Sequence, residues 1–154
     1  MSHLKLLLDT NVIIDFLDER DPYYEKARLL MIAGRLGEFD LWTTSSQFTD
    51  LVYVLSDGGK RNAMPHVLER LRGLRTFVNV YPVSDREIDQ MLSTSWSDPE
   101  DALLADIALR MKADCLITRN QKDFGESLVK IFDCDELFAW LKSAHSLVYQ
   151  ETQL

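Results

Sequence analysis

The stretch LLLDTNVIIDFL, Leu6–Leu17, holds the change of pattern on which the fold turns. Together with Leu4 and Lys5 it opens as a short apolar run that closes on Asp9. A run without polar alternation reads as a strand buried on both faces, the kind found inside parallel sheets. From Asn11 to Asp18 the apolar residues return at helical spacing. A buried strand that passes into a helix through one acidic residue is the start of an α/β unit.

Working outward, the same alternation continues to the end of the chain. Pro22–Leu36 reads as a helix with Pro22 in its first turn and Tyr24, Ala27, Leu30, Met31 and Leu36 near helical period. Phe39–Thr43 is a second strand, and Ser45 or Ser46 is placed to cap a helix carrying Phe48, Leu51, Val52 and Leu55, which Gly58-Gly59 stops. Asn62–Leu74 is helical, with Pro65 tolerated in the first turn. Phe77–Val83 is a third strand. Ser84-Asp85-Arg86-Glu87 has the spacing of a capping box for a helix through Leu92. Asp98-Pro99-Glu100 opens a helix reaching Lys112. Asp114–Thr118 and Leu128–Phe132 are the last strands, and Asp135–Ser143 is a closing helix. Strands alternating with helices imply a three-layer α/β/α sandwich around a mostly parallel sheet of four to five strands. No repeat, linker or low-complexity segment interrupts residues 1–154, so one domain is expected.

Of the 154 residues, 46% are hydrophobic and 27% charged, an ordinary globular balance. Apolar stretches such as Leu51–Leu55 are far too short to span a bilayer, and the N-terminus reads as a first strand in place of a signal peptide. Cys115 and Cys134 are expected as reduced, mostly buried thiols of a cytoplasmic protein. The net charge of −8 argues against a surface that attracts nucleic acid everywhere. It leaves room for a local strip, and from Lys60 to Arg75 five basic residues stand against one acid.

In open parallel α/β sheets, ligands sit beyond the carboxyl ends of the strands. Asp9 ends the first strand, Asp50 lies one to two turns into the helix after the second, Asp98 and Asp101 open the helix before the fourth, and Thr118, Arg119, Asn120 and Asp123 follow the fourth. The topology brings these distant residues to one edge. Carboxylates crowded together repel, and a cation relieves them. Hard oxygen donors suit Mg²⁺ or Mn²⁺, whereas His3, His66 and His145 are scattered and no Cys/His spacing suggests zinc. Each acid also has a plain explanation: Asp9 as a turn residue, Asp50 as a solvated helical position, Asp98 as the cap before Pro99, Asp101 as a partner of the helix N-terminus. Asp106, Asp114, Asp133 and Asp135 fit solvated or capping positions.

Three segments, LLLDTNVIIDFL, TTSSQFTDLVYVL and DPEDALLADIALRMKADCLITRNQKDF, resemble the three blocks of PIN-domain proteins, the group that contains VapC-like toxins; the likeness covers roughly residues 4–132. The match runs residue by residue. Asp9 matches the first acid, with Asn11 as a supporting polar group. Asp50 stands where the family usually has glutamate, Asp101 matches the acid of "EDA", and Asn120 occupies a position often held by aspartate, with Asp123 three residues on. Thr118 matches the usual hydroxyl before it. The resemblance implies an α/β/α fold, a Mg²⁺- or Mn²⁺-dependent endoribonuclease acting on RNA, and often a homodimer. It also implies a toxin held by a cognate antitoxin. In that reading Asp9, Asp50 and Asp101 hold the metal, Asn120 or Asp123 completes the site, and Asp98 supports it.

For substrate handling, Arg119 and Lys122 in the site loop and Lys60 and Arg61 in the basic strip are the candidate RNA contacts. Trp42, Trp96 and Trp140 could stack bases, although core or interface positions explain them as well. Tyr23 with Leu29 is an apolar surplus on its helix suited to a dimer or antitoxin groove. Two alternatives stay open. A haloacid-dehalogenase-like phosphatase also places an aspartate after strand one, but would want a second aspartate two residues on, where Asn11 stands, and a receiver domain would want paired acids near strand one and a phosphoacceptor after strand three. A PIN-fold binding module that has lost activity is compatible with Asp50 and Asn120.

Overall fold

The computed structural model describes residues 3–149. Its order is β1 (Leu4–Leu8), α1 (Thr10–Leu17), α2 (Tyr24–Arg35), β2 (Phe39–Thr44), α3 (Gln47–Leu55), α4 (Met64–Leu74), β3 (Val78–Tyr81), α5 (Asp85–Leu92), α6 (Pro99–Arg110), β4 (Cys115–Ile117), β5 (Lys130–Phe132) and α7 (Cys134–His145). Two 3₁₀ turns, Arg61–Ala63 and Gln121–Phe124, precede α4 and follow β4. The five strands form one all-parallel sheet in the order β3-β2-β1-β4-β5.

β1 is central, pairing with β2 on one side and β4 on the other. This explains its continuous leucines: Leu6 and Leu8 point into one core, Leu7 into the other, and all three are fully buried. The Leu6/Leu8 core is closed by Val12 and Ile13 of α1, Leu30 and Met31 of α2, Leu51 of α3, Val67 and Leu71 of α4 and Leu137 and Leu141 of α7. The Leu7 core is closed chiefly by Leu103, Leu104, Ile107 and Ala108 of α6, with Leu116 and Phe124. Helices therefore cover both faces, and the α/β/α sandwich is the observed architecture.

Two glycines carry particular burdens. A Cβ on Gly34 of α2 would lie 2.2 Å from Cδ1 of the fully buried Leu41, so the helix approaches β2 too closely for any side chain. Gly58 stops the chain after α3 with φ of 85°, in the left-handed region that costs glycine nothing.

Several local expectations are corrected. Pro22 lies in the turn before α2, following a cis peptide bond, and the helix begins two residues later at Tyr24. Neither Ser45 nor Ser46 caps α3: Ser45 Oγ accepts from the backbone of Val83 and Ser46 pairs with Thr44. Ser84 sits at the N-cap of α5, but its hydroxyl donates to the Glu87 carboxylate instead of closing a box with the backbone. The capping box is at α7, where Asp133 and Glu136 exchange side-chain and backbone hydrogen bonds. Leu29 is buried, so it supplies no surface groove with Tyr23. Cys115 and Cys134 are unpaired, and burial pushes both thiols up to about 12.

Candidate active site

The strand order reverses direction at β1: the chain moves outward through β2 and β3, then returns to the other side for β4. The crevice beyond the carboxyl ends of the strands at such a switch point is where parallel sheets bind ligands. Asp9 follows β1 and Thr118 follows β4, so the two flank that crevice. Thr118 Oγ1 donates to Asp9 Oδ2 at 2.7 Å, joining residues 109 apart in sequence.

Asp9 is also the N-cap of α1, its Oδ1 accepting from the Thr10 amide at 2.7 Å. It is buried, and desolvation holds its carboxyl above the usual range, with the charge of Asp98 adding to the effect; the Thr118 and Thr10 hydrogen bonds and the charge of Arg119 pull the other way.

A cleft of about 250 Å³ brings together Asp9 and Thr10 at the start of α1, Ser46, Gln47 and Asp50 at and after the start of α3, and Glu100 and Asp101 from α6, with apolar walls including Ile88 and Met91. Thus the three acids expected to meet do meet. Asp101 is buried in the first turn of α6, with no hydrogen-bond donor on its carboxylate among the described contacts. Desolvation, then the charges of Asp98, Asp9, Asp123 and Glu100, raise its pKa to about 7. Glu100 is raised by desolvation and by Asp50, Asp98 and Asp9, which sets it opposite Asp50 in the same negative field.

Glu100 is the acid that sequence reading passed over. It stands directly before Asp101 in DPEDA, and that adjacency to an expected acid was the available signal. Gln47 was missed too. Its buried amide donates to the Leu8 carbonyl (2.9 Å) and Thr10 Oγ1 (3.1 Å) and accepts from Thr43 Oγ1 and the Thr44 amide (both 2.8 Å). It ties the ends of β1 and β2 together beneath the acids.

The remaining expected residues lie around the cleft. Asp98 caps α6, accepting from the amides of Glu100 (2.9 Å) and Asp101 (3.3 Å). Asn11 reaches Asp9 and Thr118 at 3.5 Å each. Asn120 opens on an adjoining depression with Arg119 and Tyr23, and Asp123 on another with Lys122. Lys60 pairs with Asp57, and neither Lys60 nor Arg61 lines the acidic cleft. The three tryptophans are half-buried against the cores, Trp96 edge-on to Phe124 and Trp140 tilted on Phe132.

Among the described residues, no three acid, histidine or cysteine side chains already close on a common point as a cation cage. The donor set nonetheless suits a hard divalent cation: four carboxylates open on one cleft, and one of them, Asp101, has its pKa raised to about 7 by burial and then by its neighbours' charge.

Fold and site together define an α/β protein with an acidic crevice at the switch point of a parallel sheet. The sequence matches the PIN domain family over residues 5–122, and the chain belongs to that family. The haloacid-dehalogenase and receiver alternatives fall with this assignment. It is similar to ribonuclease VapC1 of Aquifex aeolicus, with 28% identity over 145 residues, 88% of this chain and 94% of that protein. Solved structures share its fold. The FitAcB crystal structure from Neisseria gonorrhoeae has a TM-score of 0.64 at 18% identity, covering 84% of this chain and 97% of that one. VapBC-1 from nontypeable Haemophilus influenzae gives 0.60 at 20% identity, covering 86% and 99%. A toxin-antitoxin complex from Klebsiella pneumoniae gives 0.56 at 21% identity, covering 78% and 90%.

Proposed function

We propose that this protein is a divalent-cation-dependent endoribonuclease that hydrolyses RNA phosphodiester bonds in the cytoplasm, and that it is the toxin of a toxin–antitoxin pair, working as a homodimer. The observation that carries the reading is the cleft shared by Asp9, Asp50, Glu100 and Asp101, in a chain of the PIN domain family. The similarity to a protein named a ribonuclease, and to chains solved in toxin–antitoxin complexes, supports the substrate class and the partner. No described helix is long and apolar enough to cross a membrane.

In this reading Asp9, Asp50 and Asp101 hold Mg²⁺ or Mn²⁺, Glu100 faces Asp50 as a further oxygen donor, and Asn120 or Asp123 completes the set. A divalent ion bound there supplies Lewis acidity, lowering the pKa of water and offsetting charge on the phosphoryl group. The chain's own residues do the rest. The Thr118 hydroxyl fixes which Asp9 oxygen stays turned inward, Gln47 holds the floor, and the apolar wall at Ile88 and Met91 limits water. Lys122, exposed beside Asp123, is the cation best placed to meet an incoming phosphate.

The test is cleavage of a panel of single-stranded RNAs with Mn²⁺ or Mg²⁺. Wild-type protein should cut and Asp9→Asn should lose at least about a hundredfold in rate, as expected when a group stabilising transition-state charge is removed. RNA binding without cleavage under every metal condition would instead identify an inactive binding module. Induced expression of the toxin alone should arrest growth, and Asp9→Asn should relieve it.

A further inference from the structure

Arg119 stands between Thr118 and Asn120, in the turn after β4 beside Asp9, and it lines the adjoining depression with Asp15 and Tyr23. Its Nε donates to Asp15 Oδ2 at 2.6 Å and its Nη2 to Asp15 Oδ1 at 3.2 Å, a bidentate pair. Its guanidinium lies 4.1 Å from the centre of the Tyr23 ring, which covers one face. The Asp15 side chain is only 2% exposed, so its charge depends on Arg119 for compensation. A second tie lies one helical turn earlier on α1, where Asn11 Oδ1 accepts from the Arg119 backbone amide at 3.3 Å. Positions 11 and 15 lie on one face of a helix, so α1 grips this single residue by backbone and side chain together.

What this grip holds is the site's deepest acid. Thr118 Oγ1, which donates to Asp9 Oδ2, itself accepts from the Asn120 amide at 3.0 Å. The turn carrying both groups is therefore pinned through the residue between them.

We propose that the Asp15–Arg119 pair is a latch that positions the Thr118–Asn120 turn against Asp9, and that both are positioning residues for the hydrolytic site with no contact to RNA phosphates. This assigns Arg119 a role different from the phosphate contact that its place in the loop suggests. It rests on the ribonuclease reading for its kinetic consequences, but not for its structural ones.

The variants Asp15→Asn, Arg119→Gln and Arg119→Lys are compared singly, with Asp15→Asn/Arg119→Gln as the double. Two readouts are followed in the full-length protein: hydrogen exchange of the Thr118–Asn120 amides, and cleavage kinetics with RNA affinity measured across salt in an Asp9→Asn background. The latch predicts at least about tenfold faster exchange at the Asn120 amide in Asp15→Asn and in Arg119→Gln. It predicts kcat lowered ten- to a hundredfold with KM unchanged, a double variant no worse than either single, and partial rescue in Arg119→Lys, which keeps the charge but lacks the planar fork. RNA affinity and its salt slope should stay at the parent values.

A phosphate-contact role would instead raise KM and reduce the salt slope by about one in Arg119→Gln while Asp15→Asn kept wild-type affinity, and that pattern overturns the proposal. If wild-type protein cleaves no RNA, the ribonuclease reading fails while the exchange data still decide the latch. Unchanged Asn120 exchange in folded variants sinks it. Should Asp15→Asn and Arg119→Gln not fold, Arg119→Lys carries the same two measurements.

Discussion

At the scale of single residues, the site is a set of carboxylates whose charges are only partly tolerated by the protein itself. Asp101 shows this most clearly, since burial and four acidic neighbours lift its pKa to about 7, well above the ordinary aspartate range. The sign of the consequence follows from proton counting. Between pH 4 and 7 the folded protein holds a proton on Asp101 that the unfolded chain has released, so this residue's contribution to stability falls as pH rises through that window and levels above it. Asp9 and Glu100 shift in the same direction. Metal-free protein should therefore show a smaller stability difference from Asp101→Asn at pH 4 than at pH 8, with the variant the more stable of the two at high pH. Urea titrations at a series of pH values in chelator read this directly; parallel curves for the two proteins would contradict it.

At the scale of elements, two devices place the acids. Asp98 caps α6 and so fixes the turn from which Glu100 and Asp101 project. Replacing it with alanine should cost about 0.5–2 kcal/mol, whereas asparagine, an equally good cap, should stay within a few tenths. Denaturant midpoints distinguish the two, and equal losses in both variants would show that charge matters there and capping does not. The second device is the close seat of α2 on β2 at Gly34, which holds one face of the sandwich together. Gly34→Ala forces a methyl into Leu41 and should destabilise by roughly 1–3 kcal/mol despite alanine's better helix propensity. A rise in the melting temperature would mean that α2 has room to shift.

At the scale of the whole molecule, the proposed reading asks a chain with net charge −8 to attract RNA locally, and a divalent cation held in the cleft would do so while relieving the protein's own repulsion. Cation binding to the folded state alone stabilises by RT ln(1 + [L]/Kd), about 2.7 kcal/mol at a hundredfold excess over Kd. For a domain of this size that is a rise of roughly 5–10 °C in melting temperature. Mn²⁺ or Mg²⁺ should produce it, chelator should reverse it, and Asp9→Asn/Asp101→Asn should abolish most of it; a double variant that responds like wild type would place the ion elsewhere.

The sequence by itself determined the order of elements, because buried parallel strands are unbroken apolar runs and the helices between them keep their 3.6-residue period whatever they pack against. It also marked Asp9, Asp50 and Asp101, since topology alone delivers strand ends and the helix starts beside them to one edge. Three-dimensional packing decided what local pattern cannot express. Ser45, Ser46 and Ser84 have the spacing of caps yet bond elsewhere, because neighbouring strands and Glu87 offer competing partners that exist only after folding. Glu100 joins the acids because α6 presents its first turn to the crevice, and the Arg119 side chain pairs with the buried Asp15 on α1. Hydrophobic periodicity is written along the chain, whereas the partner of a polar group is set by what lies across the fold, and those partners are what shape the site.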